Sequence, residues 1–226
     1  MLNARHLLLA LLALCAAALV ACGDDDDEST TTATTAQGEC AEVEAPAPKD
    51  AKFDAPEIVL ERGEAATAAV ETSCGSFEIE LDTKNSPKTA NSFAFLAEQG
   101  FYDGTVFHRI APGFVIQGGD PKGSDPQVAG SGGPGYSVTE PPAQDTTYKK
   151  GLVAMAKSAV EPPGASGSQF FVVTAPADAG LPPDYAVLGE VSEGIEVVEA
   201  IGELGDPATE QPLQTVTIDR IAISKG

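Results

Sequence analysis

Residues 107–121 read Phe-His-Arg-Ile-Ala-Pro-Gly-Phe-Val-Ile-Gln-Gly-Gly-Asp-Pro. A solvated loop has no use for Phe107, Ile110, Phe114, Val115 and Ile116 in so short a span. An uninterrupted central strand would not accommodate Pro112. The pattern predicts strand, tight turn, strand, with Pro112-Gly113 as the turn. Arg109 and Gln117 are then held on rigid flanks beside an apolar surface. Gly118-Gly119 lets the chain turn or approach another backbone closely.

Farther along, Gly167-Ser168-Gln169-Phe170-Phe171-Val172 forms a second apolar block. Strand alternation puts Val115 and Gln117 on one face of their strand, and Gln169 and Phe171 on one face of theirs, with Phe170 and Val172 pointing away. Both faces of the second strand are apolar, so one packs inside and the other faces outward. An outward apolar face beside a fixed arginine is a pocket candidate. On the residues alone, a second reading stays open: Phe171 under a loop and Arg109 in a surface salt bridge.

The two blocks, in this order, closely resemble the signature segments of the cyclophilins, the cyclophilin-type peptidyl-prolyl isomerases. The resemblance covers roughly Ala65 to Ser224. It implies a mainly β protein: a closed, eight-stranded antiparallel barrel with a helix at each open end. The local patterns agree with many short strands and two helices. Ala68–Thr72 and Phe77–Leu81 flank Ser73-Cys74-Gly75-Ser76, and Phe77, Ile79 and Leu81 alternate with Glu78 and Glu80, which predicts a hairpin with one buried face. Ser86-Pro87 opens a helix that Gly100 closes. Short strands are expected over 151–156, 169–174 and 185–191, a helix over 194–201, and a β-rich run over 213–223. Lys122–Tyr148, rich in Gly, Pro, Ser and Asp, reads as a long surface loop, which in the family lines one side of the substrate groove.

Ahead of that domain the composition changes. Arg5 and His6 precede the apolar run Leu7–Val20, the layout of a signal peptide and too short for a comfortable transmembrane helix. Leu19-Val20-Ala21-Cys22 resembles the bacterial lipobox, which implies cleavage after residue 21, lipidation of Cys22 and anchoring to the outer face of a cell membrane; an uncleaved anchor and an ordinary secretion signal are the alternatives. Residues 22–50 carry Asp24-Asp25-Asp26-Asp27-Glu28, a Thr-rich run and Ala45-Pro46-Ala47-Pro48, and read as a disordered stalk. Residues 51–64 form a transition in which Ile58-Val59-Leu60 can add an edge strand. The folded domain is expected over 65–226.

The formal net charge of the 226-residue chain is −21, which argues against nucleic acid, since a phosphate-binding face needs clustered Lys and Arg. The separations of Cys15, Cys22, Cys40 and Cys74 match no zinc pattern, and His108 is the only histidine after the leader, so no metal site is expected. Cys40 and Cys74 form an even pair in what reads as an exported chain. They are either a disulfide, worth roughly 3–4 kcal/mol by the chain-entropy model, or two free, half-buried thiols. With one histidine and no evident Ser or Cys partner for it, a hydrolase triad is not expected.

The resemblance carries residue roles. It implies Arg109 as electrostatic catalyst with Gln117 holding it or the substrate carbonyl. Phe114, Val115, Phe171 and Leu181 would form a proline pocket, Ala156, Lys157 and Gln169 would line the groove, and Tyr185 would close the rim. No cofactor is implied; the partners are proline-containing polypeptides, met by a monomer. The chain departs from the family pattern at several positions. Val115 stands where many members have methionine, Lys157 and Tyr185 where many have asparagine and histidine, and Gly180 near the place of a tryptophan that this chain lacks. The missing tryptophan implies weaker cyclosporin binding. Two other functions remain: a module that grips Pro-containing segments without turnover, and a solute-binding lipoprotein, which ordinarily needs two lobes and a longer chain.

Overall fold

The computed structural model describes residues 40–226. The expected leader, the lipidation site Cys22 and the acidic run lie outside the described residues.

The described residues form eleven strands and two helices. β1 (Ala66–Thr72) and β2 (Gly75–Leu81) make the expected hairpin, with Ala68, Val70, Phe77 and Ile79 buried. α1 (Pro87–Glu98) follows. Its Ser86 cap side chain makes no capping bond. The Glu140 carboxylate does that work from across the molecule, accepting the Lys88 and Thr89 N–H groups at 3.3 and 2.8 Å, where a negative charge also complements the helix dipole. At the other end Gly100 N–H reaches Ala97 O and Phe101 N–H reaches Leu96 O, the paired bonds of a Schellman stop.

β3 (Thr105–Val106), β4 (Arg109–Ala111) and β5 (Val115–Gly118) come from the diagnostic stretch, with Pro112-Gly113 turning between the last two and Gly113 at φ 68°. Then come β6 (Val138–Thr139), β7 (Leu152–Met155), β8 (Ala165–Ser166), β9 (Phe170–Val173), β10 (Val187–Glu193), α2 (Ile195–Gly202) and β11 (Thr217–Lys225). β6 and β8 pair as a small separate sheet.

The closed eight-stranded barrel is corrected by the ladder. Nine strands form one open, curled sheet in the order β3-β11-β1-β2-β10-β7-β9-β5-β4. Its two edge strands, β3 and β4, are joined in sequence by Phe107-His108 and do not pair with each other; an isolated bridge links Val106 of β3 to Asp120, just past β5. The ring fails to close because the outer edge of β4 is already taken: Ile110 N–H donates to Glu210 O at 2.9 Å, so loop 205–212 sits where a ninth-to-first pairing would have to go.

The sheet curls around the main core. Ile79, Phe93, Leu96, Phe107, Ile110, Ile116, Phe170, Val172, Leu188 and Ile218 are all fully buried there. Phe93, Tyr102, Phe107 and Phe170 meet mostly edge-on, with Phe93 and Phe170 centroids 5.6 Å apart, the geometry that aromatic quadrupoles favour. The other face of β4, β5, β9 and β7 carries a second, smaller apolar cluster that includes Val115, Ala154 and Phe171.

The segment before β1 also departs from expectation. Residues 40–50 are not a free stalk, and 58–60 add no strand. Cys40 is bonded to Cys74, Ala41 N–H donates to Ser73 O and Lys49 N–H to Pro121 O. Phe53 sets its ring edge-on to Phe95 at 5.3 Å, and Asn91 on α1 accepts the Val59 and Leu60 N–H groups through its Oδ1. With those backbone donors satisfied by a helix side chain, Leu60 is buried without ladder pairing while Ile58 stays exposed. The segment is a strap laid across α1.

Candidate active site

Register builds the site. Arg109 pairs with Gln117, Gln117 with Phe171, and Phe171 with Ala154. These four residues therefore stand in one row across β4, β5, β9 and β7, on the same face of the sheet. One step along, Ala111, Val115 and Val173 form a parallel row. A one-residue slip of any strand would turn its members into the core.

Above these rows lies a cavity of about 240 Å³, lined by Arg109, Phe114, Val115, Gln117, Ala156, Lys157, Phe171, Leu181 and Tyr185. It is smaller than the ~300–1,000 Å³ of sites that enclose drug-sized ligands, and suits one compact apolar group. Val115 and Phe171 are buried in its floor. Tyr185 stands edge-on to Phe171 at 5.4 Å, and the Lys157 ammonium lies 5.7 Å from the Tyr185 ring centre. The Arg109 guanidinium carbon is 5.9 Å from the Phe114 ring centre, within cation–π range.

A polar chain crosses the same surface. Arg109 Nη1 donates to Gln117 Oε1 at 3.3 Å, and Gln117 Nε2 donates to Gln169 Oε1 at 3.1 Å. Gln169 Nε2 then donates to Gly130 O at 3.0 Å and Gly132 O at 2.9 Å. Each amide has one sense of orientation, because each must accept on one side and donate on the other. The end of the chain is anchored by the fully buried Asp120, whose carboxylate accepts the N–H groups of Lys122, Gly130 and Gly132. Only glycine fits at 132, since an added Cβ would lie 1.9 Å from Asp120 Oδ1.

Nine of the ten expected site residues thus line one cavity. The tenth, Gln169, lines an adjoining groove of about 620 Å³ that shares Gln117, Ala156 and Lys157 with it. That groove is walled by residues 130–137 and reached by Lys52 of the strap, whose ammonium donates to Gly133 O at 2.9 Å.

Sequence reading missed three contributors. Tyr148 is buried beneath the site, its hydroxyl donating to Tyr185 O and accepting Tyr185 N–H; an aromatic at the end of a polar loop was the available signal. Lys52 had none. Glu210 had none either, yet its carboxylate meets Arg109 Nε at 2.6 Å.

His108 is adjacent to Arg109 but turned away from the cavity lining, 7% exposed, with neither ring nitrogen hydrogen-bonded among the described residues. Burial pushes its pKa down, outweighing the nearby Asp120 carboxylate, which favours the charged form. Among the described residues, no cluster of His, Cys, Asp and Glu is arranged to hold a metal ion.

Comparisons with known proteins place the chain in a family. A family model described as "Cyclophilin type peptidyl-prolyl cis-trans isomerase/CLD" matches residues 67–223. Peptidyl-prolyl cis-trans isomerase B of Streptomyces anulatus is 38% identical over 175 residues, covering 69% of this chain and 95% of that protein. Peptidyl-prolyl cis-trans isomerase-like 1 of Neurospora crassa is 36% identical over 160 residues, covering 68% of this chain and 91% of that protein. A crystal structure of a Cryptosporidium parvum cyclophilin-type isomerase, determined in the presence of the dipeptide Ala-Pro, superposes with a TM-score of 0.62 at 27% identity, covering 71% of this chain and 99% of that one. The fold, the paired signature blocks and these relatives together show that the chain belongs to the cyclophilin-type peptidyl-prolyl cis-trans isomerases.

Proposed function

We propose that this isomerase acts on X–Pro bonds of exported polypeptides, working without a cofactor from the outer face of a membrane to which Cys22 tethers it. The X–Pro barrier of roughly 18–20 kcal/mol is set by amide resonance. Twisting the bond makes the prolyl nitrogen pyramidal and gives it a lone pair. A guanidinium directed at that nitrogen favours the twisted state over either planar one, which is differential binding of a transition state. Arginine suits the task because it is charged at every working pH and presents its donors from a rigid plane.

The observation that carries this reading is the shared cavity. Arg109 and Gln117 line the same 240 Å³ space as Phe114, Val115, Phe171 and Leu181. A prolyl ring seated on the apolar residues puts its nitrogen within the arginine's reach, and the chain flanking it continues into the groove of Ala156, Lys157 and Gln169. Tyr185 shields the rim.

Export is supported by the apolar leader and the Cys22 motif, and by the Cys40–Cys74 disulfide, which persists in oxidising compartments. Several acyl chains on one residue anchor firmly where one is marginal.

The full-length protein in detergent should accelerate cis-to-trans conversion of a short X–Pro peptide, and Arg109→Ala should remove most of that acceleration with the fold intact. Equal rates would remove Arg109 from the mechanism; peptide binding without acceleration would make the protein a holder of proline segments. Mass analysis of the membrane-extracted N-terminus should find Cys22 acylated, and an unmodified Cys22 terminus would end the anchoring proposal.

A further inference from the structure

We propose that Glu210 is the positioning residue of Arg109: its carboxylate sets the guanidinium in its working orientation, and the unusual backbone of Glu210 exists to deliver that carboxylate. The proposal rests on the reading of Arg109 as the group that acts on the prolyl nitrogen.

Glu210 has φ 57°, and among the described residues it is the one non-glycine with positive φ. A branched-at-Cβ or long side chain is sterically disfavoured there, and the residues that tolerate it do so with short polar groups that bond locally. Glutamate has no such local compensation. Backbone outliers of this kind gather where the surroundings over-determine them, often at functional sites.

Two contacts show what is over-determined. Glu210 Oε2 accepts Arg109 Nε at 2.6 Å, while Glu210 O accepts the N–H of Ile110, the next residue in the chain, at 2.9 Å. One residue therefore holds both the main chain of β4 and the side chain that leaves it. The loop is built to present it. Asp206 Oδ1 accepts the N–H groups of Ala208 and Thr209 at 2.8 and 2.9 Å, Asp206 O accepts Glu210 N–H at 2.7 Å, and Asp206 N–H donates to Gln211 O at 2.9 Å.

Guanidinium geometry explains the consequence. Nε is committed to Glu210 and Nη1 to Gln117. Two anchors on different nitrogens fix both the position and the rotation of a planar fork, and the one between opposite charges is the shorter and stronger. The remaining donors are then oriented before substrate arrives, so little reorganisation is left for the reaction itself. Glu210 does not line the cavity, so it acts through Arg109.

The experiment measures kcat, KM and the thermal midpoint of full-length variants on an X–Pro peptide. Glu210→Gly lets the backbone keep its left-handed conformation without strain while deleting the carboxylate. It should lower kcat about tenfold, leave KM within about twofold, and leave the midpoint unchanged or higher. Glu210→Gln, which keeps an acceptor for Nε, should recover most of the lost kcat. In an Arg109→Ala background, Glu210→Gly should change nothing further. Wild-type or higher kcat in Glu210→Gly would overturn the proposal. So would a loss that persists at full size without Arg109, since the residue would then be acting by another route. Full activity in Arg109→Ala alone would overturn the arginine's role, and this proposal with it.

Discussion

The two sides of Arg109 are built by different means. On one side, Gln117 and Gln169 come from or beside strands, and their places follow from pairing: Arg109 opposite Gln117, Gln117 opposite Phe171. On the other, Glu210 arrives on a loop 101 residues away in sequence, held by an Asx turn and a strained backbone. The strand side is rigid because every member is tied to two neighbours and a buried floor. The loop side is rigid only because its own small hydrogen-bond set closes on β4. A side chain at the cavity can thus take one coordinate from the sheet and the other from a connection that no ladder specifies.

Substitutions on each side sharpen that contrast. The largest effect is expected at the floor: Phe171→Ala should cost about 3–5 kcal/mol of stability as well as the pocket, read by denaturant unfolding and by peptide assay. If activity survives intact, Phe171 supports the sheet and not the substrate. Next is Cys40→Ser, remote from the cavity, which opens a cross-link spanning 34 residues and should cost about 3–4 kcal/mol. Isomerase activity below the melting transition should be unaltered; a matching loss of activity would tie the strap to catalysis. Gln169→Ala cuts the polar chain between Gln117 and the 130–132 loop. It should slow turnover by about tenfold or less, or ~1.4 kcal/mol, with stability nearly unchanged. A loss far larger than that from Glu210→Gly would mean the strand side dominates.

The smallest effect concerns pH. The folded protein keeps His108 below its ordinary pKa, chiefly by burial, whereas the unfolded chain takes up a proton near pH 6.5. Stability is therefore complete above that value and declines as the pH falls through it, by at most ~1.4 kcal/mol per pH unit. No other histidine follows residue 39, so His108→Gln should flatten the melting temperature between pH 7.5 and 5.5. An unchanged slope would exonerate the imidazole.

Four of the nine cavity residues, Arg109, Val115, Gln117 and Phe171, were legible in the sequence because they lie in short strands with alternating chemistry. Val115 and Gln117, and Phe171 with Gln169, each had a neighbour two positions away that fixed which face they shared. Ala156, Lys157, Leu181 and Tyr185 came only through resemblance, since they sit in irregular chain with no period. Three features were illegible for distinct reasons. Glu140 caps α1 in place of Ser86, and a cap supplied from 51 residues away leaves no local pattern. The open sheet was misread as closed because strand count and alternation do not reveal that Glu210 occupies an edge. The strap was misread as stalk because its composition is that of disorder; what orders it is a disulfide, the Phe53 ring against Phe95, and Asn91 reaching from α1.

The occupied edge of β4 has a further bearing on a protein whose substrates are proline-containing polypeptides. A bare strand border is a template on which foreign chains can stack, and such stacking leads to aggregates. Here the Ile110 N–H beside the groove is already donated to Glu210. A polypeptide lying along this border therefore finds the Ile110 N–H already spoken for, and cannot extend the sheet through it.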